Sequence, residues 1–359
     1  MKKYFNSFNG LRLFAFLNVF LLHIGSYRIT SFKNNAAWAV SFFFMISGFL
    51  YGYKLFSKDI NINETSDFSI KKLTKIYPLY LITLIIMLPF SGIFNINSFN
   101  NDLFMWIKTF LYNITLTQSF ACNTKISYAF NGVSWFLSDF IFFMIVTIPI
   151  MIILKKLIRN KKDTIFYLLL TIIMSFIYVD FIYYLKGDIV IWIYVFPISR
   201  IFEYECGLLL GIYFNLNEEK EKNEHKVIYT LLEIIMIILL VLSLYLIPQI
   251  KMYSLTSAWI IPNILIIGLF AKEKGYVSKF LGNKLFVHLG ALTFDAYLIH
   301  QVINMYFYIV PGINNISKIT KLKSSLFILL ITFLIAEYTS KNNIFDKISD
   351  RLNNIIIKM

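Results

Sequence analysis

The sequence predicts an all-α integral membrane protein, a bundle of about ten transmembrane helices with one amphipathic helix in the membrane interface. Of its 359 residues, 58% are hydrophobic and 18% are aromatic, and the mean hydropathy is +0.67. These values lie outside the range of soluble globular domains. The apolar residues are gathered into segments long enough to cross a bilayer as helices, which satisfy their own backbone hydrogen bonds in lipid.

Ten apolar segments of this kind follow one another along the chain. The first comes after a basic N-terminus and is interpreted as a retained span, because no small-residue cleavage site follows it. Pro78 is expected to open the third span, since proline is tolerated in the first turn of a helix. The predicted spans are 11–27, 37–56, 76–94, 134–154, 164–185, 189–214, 227–248, 254–271, 290–310 and 324–340.

The segment 103–121 is apolar but carries a polar face. Its apolar residues recur at helical spacing, and polar residues stand between them. The apolar residues are Leu103, Phe104, Ile107, Leu111 and Ile114, and the polar ones are Asp102, Lys108, Asn113 and Gln118. The pattern alone leaves open whether this segment spans the membrane or lies on its surface.

The distribution of basic residues decides between the two. With ten spans and a cytoplasmic N-terminus, 24 of the 34 Lys and Arg fall on the inner side and nine on the outer side, and Arg200 lies within a span. An eleventh span at 103–121 would move the basic cluster 155–162 outside, against the positive-inside tendency. We therefore expect 103–121 to be an interfacial helix. One transmembrane domain, 1–345, is followed by a short cytoplasmic tail, 346–359.

Composition also limits the classes of binding partner that are expected. Basic residues bracket apolar spans and do not form a polar surface of their own, so membrane lipids are expected partners and nucleic acid is not. The two cysteines have no metal-binding spacing, and no metal site is predicted. Abundant Asn, Ile and Lys suggest an AT-rich bacterium, so a bacterial plasma membrane is expected. The distribution of basic residues predicts that both termini are cytoplasmic.

Arg12 and His23 are the first candidate site residues. They are eleven residues apart in the first span, which returns to nearly the same helical face about 16 Å further along the axis. Both side chains are therefore expected to face one cavity at two depths. An ionisable residue within a span is a functional hypothesis by default, and histidine transfers protons near neutral pH. A packed histidine bonded to a carbonyl is the structural alternative for His23.

Other polar residues lie in or beside later spans. Lys72 and Lys75 precede the third span, where they suit phosphate groups or serve as a topology signal. Arg200 and Glu203 are three residues apart and can pair within one helix, usually a structural arrangement. His300 is a possible second polar wall of the cavity or a core histidine.

Taken together, these residues and the sequence motifs around them resemble those of the acyltransferase family three membrane proteins. Six motifs occur in the family's order over about residues 5–340. They are Phe8 to Arg12 running on to His23, Phe43 to Phe49, Lys72 to Tyr80, Trp135 to Leu137, Pro197 through Arg200 and Glu203 to Gly207, and Tyr297 to His300.

The resemblance implies an O-acyltransferase that moves an acyl group, most often acetyl from acetyl-coenzyme A, to a hydroxyl of an envelope or exopolysaccharide glycan or a lipid-linked acceptor. It implies catalytic roles for His23 and Arg12, and donor binding by Arg12, Lys72 and Lys75. Partner proteins of polysaccharide biosynthesis are also implied. Substrate or supporting roles fall on Ser47, Trp135, Arg200, Glu203 and His300.

The sequence departs from the family pattern at two places. Lysines occupy positions where arginines are usual, which keeps the charge but loses the bidentate fork. Phe140 stands where many members have a glutamate, with Asp139 beside it, so no catalytic carboxylate is assigned.

A transporter or flippase for a glycan intermediate is the alternative function, because polar residues within spans also line transport pathways. A catalytically inactive scaffold is a third.

Overall fold

The computed structural model describes residues 4–25, 36–58, 62–90, 103–216, 225–308 and 317–358. Across these ranges the chain forms fifteen α-helices and no β-strand, which confirms the all-α prediction. The helices are α1 Ser7–Gly25, α2 Ala37–Leu55, α3 Ile62–Ile86, α4 Leu103–Ile114, α5 Thr124–Ser127, α6 Trp135–Leu157, α7 Lys161–Tyr184, α8 Pro197–Asn215, α9 Lys226–Leu246, α10 Ile260–Phe270, α11 Tyr276–Leu281, α12 Lys284–Ala291, α13 Thr293–Tyr308, α14 Lys318–Lys341 and α15 Asn343–Lys358.

Each predicted span overlaps a helix, and the multi-pass membrane class follows from their length and composition. In the described part of the chain, five helices are long and apolar enough to cross a bilayer, or six if α12 and α13 form one broken span. The five are Ser7–Ile24, Gly132–Leu157, Lys161–Tyr184, Lys226–Ile250 and Ile319–Lys341. The total of ten stays a prediction, because α8 carries Arg200, Glu203 and Glu205, and α10 has eleven residues. The predicted span ends 26–27, 91–94 and 309–310 lie outside the described residues.

The prediction that Pro78 opens the third span is wrong. Helix α3 begins at Ile62, so Pro78 lies within it and well past the first turn. A proline at this position leaves the carbonyl of Thr74 without its usual donor. The residues before Pro78 are mostly polar, and an apolar window detects only the apolar part of a helix.

Helix α4 has the amphipathic character predicted for segment 103–121, although it ends at Ile114. Phe104 is 74% exposed, whereas Thr109 and Asn113 are buried. The Asn113 side-chain amide donates to the backbone carbonyl of Ile126, and the backbone carbonyl of Asn113 accepts from the Tyr80 hydroxyl at 2.6 Å. Asn113 and Gln118 of the predicted polar face therefore pack against protein, whereas Lys108 is exposed beside the apolar residues, and Asp102 lies outside the described residues.

The chain divides into two compact units. The first comprises residues Met1–Asn18, Asn34–Ile62 and Phe143–Ala291, and the second comprises Val19–Lys33, Asn63–Phe142 and Leu292–Met359. Helices α1 and α6 each contribute to both units. The single domain predicted for 1–345 stays a prediction. Most of the segment predicted as a tail, from 346, belongs to helix α15.

In the first unit, glycines bring α2 and α8 into backbone contact. A Cβ atom built on Gly48 would lie 2.1 Å from the carbonyl oxygen of Tyr204, and one on Gly207 would lie 1.9 Å from that of Met45. Gly52 and Gly211 repeat the same approach one turn further along. The paired positions rise together along both helices, so α2 and α8 run in the same direction. Small residues spaced four apart are typical of such close packing in membranes.

A buried carboxylate joins α9 to α11 in the same unit. Glu233 is fully buried on α9 and accepts hydrogen bonds from the backbone N–H groups of Gly275, Val277 and Ser278, at 3.0 to 3.1 Å. These are the orphan donors at the start of α11, which a carboxylate satisfies together with the helix dipole. Glu233 is thus a structural cap supplied by another helix.

We expect Glu233→Ala to destabilise the protein without touching the candidate site. Each buried N–H left without an acceptor costs about 1–3 kcal/mol. The substitution removes the acceptor of three N–H groups, two of them buried. Thermal unfolding in detergent should show a clearly lower midpoint, whereas Glu273→Ala, which removes an acceptor for one N–H, that of Ser7, should lower it less. An unchanged midpoint for Glu233→Ala would contradict the capping role.

Candidate functional site

His23 and His300 are in direct contact in the second unit. The Nδ1 atom of His23 lies 2.7 Å from the Nε2 atom of His300, and the ring planes are inclined by 18°. His23 comes from α1 and His300 from α13, so the contact joins residues 277 positions apart. His300 is fully buried, whereas His23 is partly exposed. The structure therefore brings together the two histidines that the sequence placed in separate spans.

Two neighbouring residues of α13 fix the position of His300. The Tyr297 hydroxyl donates to the carbonyl oxygen of Val133 at 3.2 Å, and the Asn131 amide donates to that of Leu298 at 3.0 Å. Rings of Tyr297 and Phe20 lie beside the imidazole, with centroids 5.7 and 6.2 Å away. Segment 131–133 thus holds the part of α13 that carries His300.

Arg12 lies in the first unit, in the N-terminal half of α1. Its Nη1 atom donates to the Asn9 side-chain oxygen at 3.2 Å, and the Asn9 amide donates to the Tyr4 hydroxyl at 3.4 Å. Next to it, the backbone of α1 passes close to α11 and α12, where a Cβ on Gly10 or Gly290 would collide with Leu281 or Asn9. Arg12 and His23 fall in different compact units, so the cavity they were expected to share stays a prediction.

Lys72 and Lys75 lie one turn apart in α3 in the second unit. The Lys72 ammonium is 5.6 Å from the ring centroid of Phe140, within the range of a cation–π contact. Phe140 is the residue that replaces the glutamate usual in the resembled family, so an aromatic face meets the lysine where a carboxylate is common. Lys75 is exposed and interacts electrostatically with the Asp295 carboxylate.

Arg200 and Glu203 form the predicted pair within α8, in the first unit. Their Nη2 and Oε2 atoms are 3.1 Å apart, and both side chains are fully buried. The guanidinium also donates to the carbonyl of Leu255 at 2.8 Å and lies over the rings of Phe44 and Tyr194, at 5.2 and 5.4 Å. A buried pair with this many contacts holds several elements of the unit together, and its substrate role stays a prediction.

Ser47 and Trp135 are the remaining predicted site residues. The Ser47 hydroxyl donates to the carbonyl of Phe43 at 2.7 Å, so its proton is used within its own helix. Trp135 is buried at the first position of α6, two residues after the carbonyl that accepts from Tyr297. Trp135 lies in the second unit with the histidines and Ser47 lies in the first, and the substrate or supporting roles of both stay predictions.

Two residues outside the predicted set contribute to the second unit. Asn131, which anchors α13, lies in an irregular segment, where sequence periodicity carries no information. Asp295 accepts from the Thr339 hydroxyl at 3.3 Å and interacts electrostatically with Lys75. Its signal was present in the sequence, as an acidic residue five positions before His300 in an apolar segment.

The histidine pair is the part of the structure best suited to acid–base chemistry. A partly exposed imidazole bonded to a second, buried imidazole has the arrangement of a general base and its supporting group. Across the described ranges, no group of three or more His, Cys, Asp or Glu side chains has the geometry of a metal site.

Comparison with known proteins identifies the family of the chain. A family model described as "Acyltransferase domain" matches residues 5–356, nearly the whole chain. No curated protein and no solved structure matches the chain. The matched range includes His23, His300, Lys72, Lys75 and Arg12.

Proposed function

This chain belongs to acyltransferase family three. We propose that it transfers an acyl group, with acetyl as the proposed group, from acyl-coenzyme A to a hydroxyl of a cell-envelope glycan. The single observation that carries the catalytic assignment is the 2.7 Å contact between His23 and His300. An acyltransferase acting on a hydroxyl needs a base at that hydroxyl, because an alcohol is a weak nucleophile until its proton is removed. His23 is the partly exposed member of the pair and is proposed as this base.

The transfer step follows from the chemistry of a thioester. His23 takes the proton of the acceptor hydroxyl while the hydroxyl oxygen attacks the thioester carbonyl. The tetrahedral intermediate then collapses, the carbon–sulfur bond breaks, and the coenzyme A thiolate takes up the proton held by His23. The ester product and coenzyme A thiol account for all atoms, and His23 returns to its starting state. Acyl transfer through His23 itself is a variant with the same balance.

The donor is proposed to be held through its phosphate groups. Lys72 and Lys75 supply positive charge on one helix, and Arg12 supplies a fork suited to phosphate. In the predicted topology these residues lie towards the cytoplasm, where acyl-coenzyme A is made, and His23 lies deeper in the membrane. The acceptor would be a glycan or lipid-linked sugar at the outer side of a bacterial plasma membrane, delivered by proteins of polysaccharide biosynthesis.

Transfer by the purified protein tests this proposal. The full chain in detergent is incubated with radiolabelled acetyl-coenzyme A and envelope polysaccharide from a strain deleted for the gene. We expect label in the polysaccharide, released by mild base as an ester. The absence of transfer, together with movement of the glycan intermediate across proteoliposomes, would favour the flippase alternative, because a flippase needs no acyl donor.

The two lysines provide a prediction on donor binding. We expect Lys72→Ala with Lys75→Ala to raise the KM for acetyl-coenzyme A by about 10-fold or more, because charge-assisted bonds contribute about 1.5–3 kcal/mol each. The matched control is Lys71→Ala with Lys347→Ala, which removes two exposed lysines from the same unit. Equal KM values for the two double variants would contradict phosphate binding by Lys72 and Lys75. Arginine at both positions should preserve or improve donor binding.

A further inference from the structure

We propose that His300 is a positioning residue that holds His23 in a single tautomer, with its proton on Nδ1 and its lone pair on Nε2. This inference rests on the proposed function, in which His23 is the base. It adds the identity of the reactive nitrogen and a role for the second histidine.

The carbonyl of Ala296 is the fixed end of the chain of hydrogen bonds. Its oxygen lies 3.3 Å from the Nδ1 atom of His300, one helical turn away. A carbonyl oxygen only accepts hydrogen bonds, so Nδ1 of His300 carries a proton. A neutral imidazole has one N–H group, and the Nε2 atom of a neutral His300 is therefore an acceptor.

The contact between the rings then determines the state of His23. Its Nδ1 atom, 2.7 Å from the acceptor on His300, has to donate, which leaves Nε2 of His23 unprotonated. The ring centroids are 5.0 Å apart and the planes nearly parallel. This separation is close to the largest that a 2.7 Å nitrogen contact permits, so the rings lie end to end. The unprotonated Nε2 atom points away from His300.

The burial of the two histidines agrees with His300 as the positioning residue and His23 as the base. His300 is fully buried, and its neighbours in α13 are anchored to segment 131–133 through Tyr297 and Leu298. His23 is partly exposed, as a group that meets a reactant has to be. His300 therefore has the rigid attachment, and the reacting lone pair is assigned to His23, the more exposed of the two. Orientation of one imidazole by a hydrogen bond to its other nitrogen is a general means of fixing a tautomer.

During transfer, His300 changes no covalent bond. When His23 takes the acceptor proton on Nε2, its Nδ1–H group continues to donate to His300, and this hydrogen bond strengthens because the donor is now charged. Loss of His300 should consequently lower kcat and leave the KM for acetyl-coenzyme A unchanged, since the donor phosphates are proposed to bind elsewhere.

Three substitutions separate positioning from packing. His300→Gln can place its amide oxygen near the former Nε2 atom and accept from His23. His300→Asn is too short to reach His23, and His300→Phe has similar size without an acceptor. We expect kcat to fall about 10–100-fold for the Asn and Phe variants, and the Gln variant to recover most of this loss. Equal kcat values for the three variants would overturn the positioning role, and His288→Ala, an exposed histidine in α12, serves as the unaffected control.

Nitrogen NMR of histidine-labelled full-length protein reads the tautomer without any activity measurement. The chain has four histidines, so single variants at His225 and His288 leave the signals of the pair assignable. We expect both His23 and His300 to carry their proton on Nδ1 at neutral pH. A proton on Nε2 of His23, or two protons on His300, would overturn the inference. The proposed function fails separately, if the wild-type protein transfers no acyl group.

Discussion

Replacing His23 by alanine should reduce the rate of acyl transfer by about 10²–10⁴-fold, the range that a positioned general base contributes. The side chain lies at a helix position where its removal leaves the backbone of α1 intact, and alanine is a strong helix former. We therefore expect correctly folded protein with little activity. The measurement is acetyl transfer from labelled acetyl-coenzyme A by purified protein.

The same variant is informative in cells. A deletion strain that carries His23→Ala should lack the polysaccharide O-acetylation seen with the wild-type gene, as NMR of the surface polysaccharide would show. His23→Gln, which keeps much of the side-chain volume, guards against a simple packing defect and should be equally inactive. Full restoration of acetylation by either variant would remove His23 from the mechanism.

Much of the candidate site could be predicted because it is made of charged or titratable residues in apolar segments. His23, His300 and the pair of Arg200 and Glu203 all stand out for this reason, since burying such groups is costly without a partner. The pairing of Arg200 with Glu203 was also predictable, because both lie one turn apart on one helix.

The sequence offered His300 as a possible second wall of the cavity expected for His23, but the direct contact between the two imidazoles could not be predicted. It depends on how α1 and α13 are placed within the second unit, and no local pattern encodes a contact between residues 277 positions apart. The anchoring of α13 by Asn131 was missed for a related reason, because irregular segments have no periodicity. The early start of α3 was missed because its first turns are polar.

Close contact between α2 and α8 leads to the largest expected effect on stability. We expect Gly207→Ala to destabilise the protein by about 3 kcal/mol or more, and Gly207→Leu to prevent folding. An added Cβ would lie 1.9 Å from the carbonyl oxygen of Met45. The obstacle is backbone, which cannot rotate away, so the helices would have to separate over the contacts made by Gly48, Gly52 and Gly211 as well.

A second glycine of the same unit provides the matched control. Gly268 lies within α10, where a Cβ would meet its nearest neighbour, a methyl group of Leu210, at 3.9 Å. Gly268→Ala should therefore be neutral or stabilising by about 0.5–1 kcal/mol, because alanine loses less backbone entropy in a helix. Thermal unfolding and the monodisperse fraction in detergent compare the two alanine variants directly. If Gly207→Ala unfolds at the same temperature as Gly268→Ala, the interface of α2 and α8 accommodates an added methyl group, and the predicted backbone collision is contradicted. If it unfolds far earlier, backbone contact between α2 and α8 is what holds the first unit together, including the buried pair of Arg200 and Glu203 on α8.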